Sequence, residues 1–229
     1  MDKLIGRHKE QSILKNCLES GRSEFVVIYG RRRIGKTFLV RRFFNDTDDF
    51  SFVGKHDMPR EQQLADFAKT LQRYSSSEFT PELKNWTQAF DGLAKLLEAK
   101  DTSRKKVIFF DEMPWMDTPK SDFMSSLENF WNGWAAMRDD IVFVACGSAT
   151  SWMIDSLLHN QGGLFNRITR KIYLRPFRLY EVEQYMDEHH FNWSRYQIAQ
   201  CYMILGGVPF YLTLLNPHMS LLSNIDELF

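Results

Sequence analysis

Cysteine is scarce in these 229 residues: Cys17, Cys146 and Cys201 stand far apart, an odd number with no CxxC pair. That argues against a disulfide framework, offers no zinc-ligand spacing and fits a reducing compartment. The opening MDKLIGRHKE lacks the apolar stretch of a secretory signal. No run approaches the ~20 apolar residues of a membrane span, so the chain is read as cytoplasmic, with no membrane partner. Net charge is lacking too, with 29 Lys+Arg against 29 Asp+Glu, and total charge therefore implies no partner. Repeats and low-complexity segments are absent, and RYSSSEFTPE (Arg73–Glu82) is the one obvious loop.

What is present is local charge. Residues 1–45 hold eleven Lys/Arg against four Asp/Glu, and RITRKIYLRPFR (Arg167–Arg178) holds five basic residues and no acid. Such clusters suit polyphosphate or nucleic acid, and equally a solvated face.

Short apolar runs read as buried strands: FVVIYG (Phe25–Gly30), KKVIFFDE (Lys105–Glu112), IVFVACGS (Ile141–Ser148), KIYLRPF (Lys171–Phe177, stopped by Pro176) and, more weakly, DDFSFVG (Asp48–Gly54). Between them, apolar residues recur at helical spacing. One face holds Ile13, Leu14, Cys17 and Leu18, with Gly21 as terminator; another holds Leu64, Phe67, Ala68 and Leu71. Leu83, Trp86, Phe90, Leu93 and Leu97 mark a third helix, and Phe123, Met124, Leu127, Phe130, Trp131 and Trp134 a fourth. A further helix begins near Lys36. Strands apolar on both faces, alternating with helices, predict a three-layer α/β/α fold with a mainly parallel sheet. After Arg178 the strands stop; helical segments follow at Leu179–His189 and Ser194–Leu205, then GGVPFYLTLL. The expected division is a core over 1–178 and a small helical lid over 179–229. The final NIDELF reads as the interior of a longer chain, with further domains expected beyond it.

The stretch GRRRIGKT, Gly30 to Thr37, matches G-x-x-x-x-G-K-[ST], with a strand before and a helix after. Glycines let backbone N–H groups curl around phosphate oxygens, and the helix N-terminus adds its dipole. Lys36 supplies a cation to the β and γ phosphates, and the Thr37 hydroxyl can bind Mg²⁺. The nucleotide-binding set is read as Gly30, Arg31, Arg32, Arg33, Ile34, Gly35, Lys36, Thr37 and Phe38. The motif does not require the three arginines, which are open to bracing phosphates, meeting a partner or pointing to water. VIFFDE then supplies the carboxylates. A strand ending beside the phosphate loop would place Asp111 near the metal, while Glu112 acts as general base on the attacking water.

The segments LIGRHKE, YGRRRIGKT, VIFFDE, VACGS, GGLFNRITRKIYLRPF and GGVPF occur in that order between Leu4 and about Leu215. With them the chain resembles the P-loop ATPases of the additional-strand, catalytic-glutamate type. More narrowly, it resembles the AAA+/STAND-related prokaryotic family often called archaeal-type ATPases, whose members commonly carry C-terminal winged-helix and nuclease-like domains. The resemblance implies ATP and Mg²⁺ as ligands. It places Ile5, Gly6 and Arg7 against the adenine, the alternative being a turn that leads into a helix. Ser148 matches the sensor position that feels the γ-phosphate or orients water, the alternative being a cap on the next helix. Arg167 stands where such ATPases have an arginine finger, acting in the same subunit or a neighbouring one, with Arg170 its rival and a solvated basic face the alternative. Pro209 in GGVP is similar to the lid proline that packs on adenine, and Gly206 there also suits a helix C-terminus.

Other features read as bland. His189-His190 is a surface helix end, Phe130, Trp131 and Trp134 are core, and Trp115 either gates the site or packs. The expected function is Mg-dependent ATP hydrolysis. Its rivals are a nucleotide-gated switch with slow turnover and a DNA- or RNA-associated ATPase that assembles as a homo-oligomer. Small-molecule kinase chemistry shares the phosphate loop, but adjacent Asp and Glu at a strand end favour water activation.

Overall fold

A computed structural model describes residues 3–45, 47–75, 78–100, 103–159 and 162–229. Ser76 and Ser77 of the expected loop lie outside the described residues. Five strands form one sheet: β1 (Glu24–Tyr29), β2 (Phe50–Val53), β3 (Lys106–Asp111), β4 (Ile141–Gly147) and β5 (Arg170–Tyr173). Their order is β2-β3-β4-β1-β5 and every pairing is parallel. Val27 lies opposite Ala145, Ile28 opposite Ile172 and Phe109 opposite Val144.

Side chains of a strand alternate between faces, and here both faces are dry. Phe25 and Val27 of β1, Ile108 and Phe110 of β3, and Phe143 and Ala145 of β4 join one apolar cluster. It is shared with α3 (Arg60–Ser75), α4 (Trp86–Glu98) and α5 (Phe123–Gly133). The residues between them, Val26, Ile28, Val107, Phe109, Val142, Val144 and Cys146, face a second cluster with α1 (His8–Glu19) and α2 (Lys36–Phe43). The three layers are therefore those expected, with Trp131 and Phe130 in the core. Trp134 packs at its edge and donates to Glu98. A third cluster, from Phe177 to Leu221, lies among α7 (Leu179–Glu188), α8 (Arg195–Leu205), α9 (Pro209–Leu212) and α10 (Leu221–Leu228).

β4 lies between β1 and β3, so one strand intervenes between the phosphate loop and the acidic end of β3. Some details differ from expectation. The first helix stops at Glu19, before Gly21. Between β4 and β5 the chain forms a short helix, α6 (Thr150–Trp152), running into a π-helical turn over Met153–Leu158. Among the described residues, no helix is long and apolar enough to cross a membrane.

Candidate functional site

The loop after β1 and the first turn of α2 line a pocket of about 570 Å³. Gly35, the N-cap of α2, has φ 84, and Gly30 has φ 142. A Cβ on Gly30 would lie 2.4 Å from the Leu174 carbonyl oxygen, so only glycine lets the loop leave the sheet there. Lys36 is 6% exposed, and its Nζ donates to the carbonyls of Gly30 and Arg31, each at 3.0 Å. The ammonium is thus clasped by its own loop with one N–H left over for a ligand.

Although a strand intervenes, α2 carries Thr37 across to β3, where its hydroxyl donates to Asp111 Oδ2 at 2.7 Å. Burial pushes the Asp111 carboxyl above the usual range, opposed by the Thr37 hydroxyl and the Glu112 amide. A hydroxyl against a desolvated carboxylate is a donor set suited to a hard divalent cation. Glu112 sits in the left-handed region, φ 45 and ψ 42, which aims its side chain into the pocket rather than along the strand. Its Oε2 accepts from the Ser148 hydroxyl at 2.9 Å and from the Ser148 amide at 3.3 Å. Arg32 Nε in turn reaches the Ser148 oxygen at 3.4 Å. Ser148 does not cap the following helix, whose N-cap is Ala149.

The other end of the pocket is built from distant segments. Leu4, Ile5, Phe177, Tyr185 and Pro209 line it. Arg7 is 5% exposed, and its guanidinium donates to the carbonyls of Arg175 at 2.7 Å and Ile34 at 3.2 Å, lying over the Phe177 ring. The Arg7 amide donates to Glu181 of α7 at 2.9 Å. Gly6 does not line the pocket; a Cβ there would meet Glu181 at 2.5 Å. Of the expected adenine contacts, Ile5 and Arg7 therefore reach the pocket, and Arg7 gives two of its five N–H donors to backbone carbonyls.

Arg32, Arg33, Ile34 and Phe38 line the pocket; Arg31 does not, and contributes its carbonyl. The Arg33 carbonyl accepts from the Phe210 amide at 3.3 Å, and its guanidinium stacks over Phe210 at 4.7 Å. The phosphate loop and α9 are thereby joined. Arg167 is exposed and lies outside the pocket lining, and Arg170 pairs with Glu24 at 3.6 Å. Trp115 packs edge-on to His56 and is likewise outside the lining.

Sequence reasoning missed Leu4, Phe177, Tyr185 and His189. Their only signal was proximity to the LIGR and basic segments, since helical periodicity cannot show which residues meet across 170 positions. His189, read as a surface residue, is half-buried and lines the pocket.

A glycine-bounded loop feeding a helix, with an acidic strand end brought under its threonine, defines a class: this is a nucleotide-binding P-loop ATPase domain. Within that class, residues 4–215 match the family described as an ATPase domain predominantly from Archaea, and the chain belongs to it. An uncharacterised protein of Methanocaldococcus jannaschii is 24% identical over 213 residues, 91% of this chain and 43% of its own. A Walker-type ATPase of Pyrococcus abyssi superposes with a TM-score of 0.69 at 18% identity, over 92% of this chain and 66% of its own. The Aeropyrum pernix ORC1 protein, solved in complex with DNA, superposes with a TM-score of 0.65 at 12% identity, over 100% of this chain and 66% of its own. The likenesses to solved structures establish the fold. The chain spans less than half the length of the Methanocaldococcus relative.

Proposed function

We propose that this domain binds ATP with Mg²⁺ and hydrolyses it to ADP and phosphate. The observation that carries the reading is the Glu112 carboxylate, held at the pocket by Ser148 beside the Thr37–Asp111 pair. Glu112 accepts the proton of the attacking water, and Ser148 sets the direction of its carboxylate. Lys36 and the amides of Gly35, Lys36 and Thr37 hold the β and γ phosphates. Thr37 and Asp111 would hold the Mg²⁺, which when bound neutralises charge on the phosphates. Arg167, exposed and away from the pocket of its own chain, is suited to completing a neighbouring subunit's site. ATP hydrolysis by the wild type and Glu112→Gln, compared alongside ATP affinity, tests the proposal. Turnover should fall by about 10²–10⁴-fold with affinity nearly unchanged. Equal turnover in the two proteins would remove Glu112 from the chemistry.

A second reading, the nucleotide-gated switch, is favoured by the direct junctions of phosphate loop and N-terminal segment with the lid, Arg33–Phe210 and Arg7–Glu181. It expects nucleotide that co-purifies and turns over slowly. A DNA-associated role draws on the fold shared with ORC1 and on the basic clusters. It expects DNA affinity that falls steeply with salt.

A further inference from the structure

The base end of the pocket carries an imidazole that the hydrolytic reading leaves unused. His189 ends α7 as its C-cap residue and lines the pocket. Its imidazole lies against the Tyr185 ring, the centroids 4.0 Å apart and the planes 20° from parallel. Its Nδ1 is 2.8 Å from the Tyr185 carbonyl oxygen. A carbonyl can only accept, so Nδ1 carries the proton, and in the neutral ring Nε2 is left as an acceptor. Among the described residues Nε2 has no protein partner.

The two cations at this end can only donate: Arg7 gives two of its N–H groups to carbonyls and Lys3 pairs with Glu188, while the Thr213 hydroxyl is turned to the Phe210 carbonyl. Around them the walls are apolar, from Leu4, Ile5, Phe177 and Pro209. A purine entering this end meets apolar surfaces and a ring acceptor oriented by its bond to the Tyr185 carbonyl.

We propose that His189 is the residue by which this pocket selects adenine over guanine. Adenine carries an amino donor at C6 where guanine carries a carbonyl acceptor. An acceptor facing that position bonds the first and repels the second, and discrimination by a mismatched polar group exceeds what apolar walls alone achieve. This rests on the ATP-binding reading and names the group that recognises its base.

Equilibrium binding at pH 8 tests it, with ATP, GTP and purine riboside triphosphate, which is ATP without its 6-amino group. The proteins are wild type, His189→Ala and His189→Phe; the phenylalanine keeps a flat ring against Tyr185 and removes the nitrogens. Wild type should bind ATP about tenfold more tightly than purine riboside triphosphate, the effect of one net hydrogen bond. Both variants should bind these two alike, and GTP should gain on ATP in both. If the wild-type difference persists in the variants, or if wild type binds ATP and purine riboside triphosphate equally, His189 is not the reader and the ATPase proposal stands. If wild type binds none of the three, the ATPase proposal fails and the base reading falls with it.

Discussion

The two ends of the pocket are built by different means. The phosphate end comes from the core: one loop, the first turn of one helix, and the tips of β3 and β4, joined by short polar contacts such as Thr37–Asp111 and Ser148–Glu112. Its Lys36 and Asp111 are buried, Thr37, Glu112 and Ser148 are half-buried, and these polar groups answer the demands of phosphate chemistry. The base end comes from the N-terminal segment, the stretch after β5, and the lid, and is mainly apolar. It holds together through Arg7, Glu181 and the Arg33–Phe210 stack, contacts that serve the chain rather than a ligand. One end is a chemical device carried on the sheet; the other is a surface assembled from segments far apart in the chain.

The sharpest way to break this comparison is at the phosphate end. Lys36→Ala should weaken ATP binding by about 100-fold or more, because a charge-assisted contact is lost; a fluorescence titration that showed near-normal affinity would mean the base end dominates binding. Next in size is Arg7→Ala, which removes hydrogen bonds to one buried and one part-buried carbonyl and the packing on Phe177. It should cost about 2–4 kcal/mol in urea unfolding, against a much smaller change for a truncation on the exposed basic face such as Arg41→Ala.

For Asp111→Asn the change in stability should depend on pH. Burial raises the Asp111 carboxyl, so the folded protein holds that proton more tightly than the unfolded chain. The stability this group contributes is present below the ordinary carboxylate range and is lost as pH rises through the raised value. The asparagine variant escapes that loss but gives up one of the two bonds that the carboxylate accepts from Thr37 and Glu112, so the stability of nucleotide-free Asp111→Asn relative to wild type should improve as pH rises from 4 to 8. It should lose the Mg²⁺ dependence of ATP binding. A stability difference that did not change with pH would show that burial does not raise the carboxyl. The smallest effect is expected for Arg33→Ala, where an exposed cation–π contact contributes about 0.5–1 kcal/mol. Global unfolding should barely move, while amide exchange over α9 should quicken; unchanged exchange would mean the lid does not depend on the phosphate loop.

Much of the fold was legible because its signals are local. Runs such as VIFF and IVFVAC are apolar at every position, as strands covered on both faces must be, and the helices between them carry clean apolar stripes. The order of strands was not legible, since a parallel sheet of buried strands offers no alternation that distinguishes neighbours. Placing β4 between β1 and β3 is a tertiary outcome, and Thr37 on α2 reaches Asp111 across it. The turn after β4 escaped for a different reason: Met153–Leu158 winds as a π-helix, whose spacing matches no ordinary periodicity.

By itself the sequence determined the phosphate loop and the acidic pair, because phosphate binding needs backbone amides, a cation and a hydroxyl within a few consecutive residues, and adjacency in the chain guarantees adjacency in space. Only the tertiary structure decided the base end. Ile5, Phe177, Tyr185, His189 and Pro209 come from segments up to about 200 positions apart, and what unites them is the packing of the lid against the sheet through Arg7 and Arg33. A contact made by packing leaves no spacing in the sequence from which it could be read.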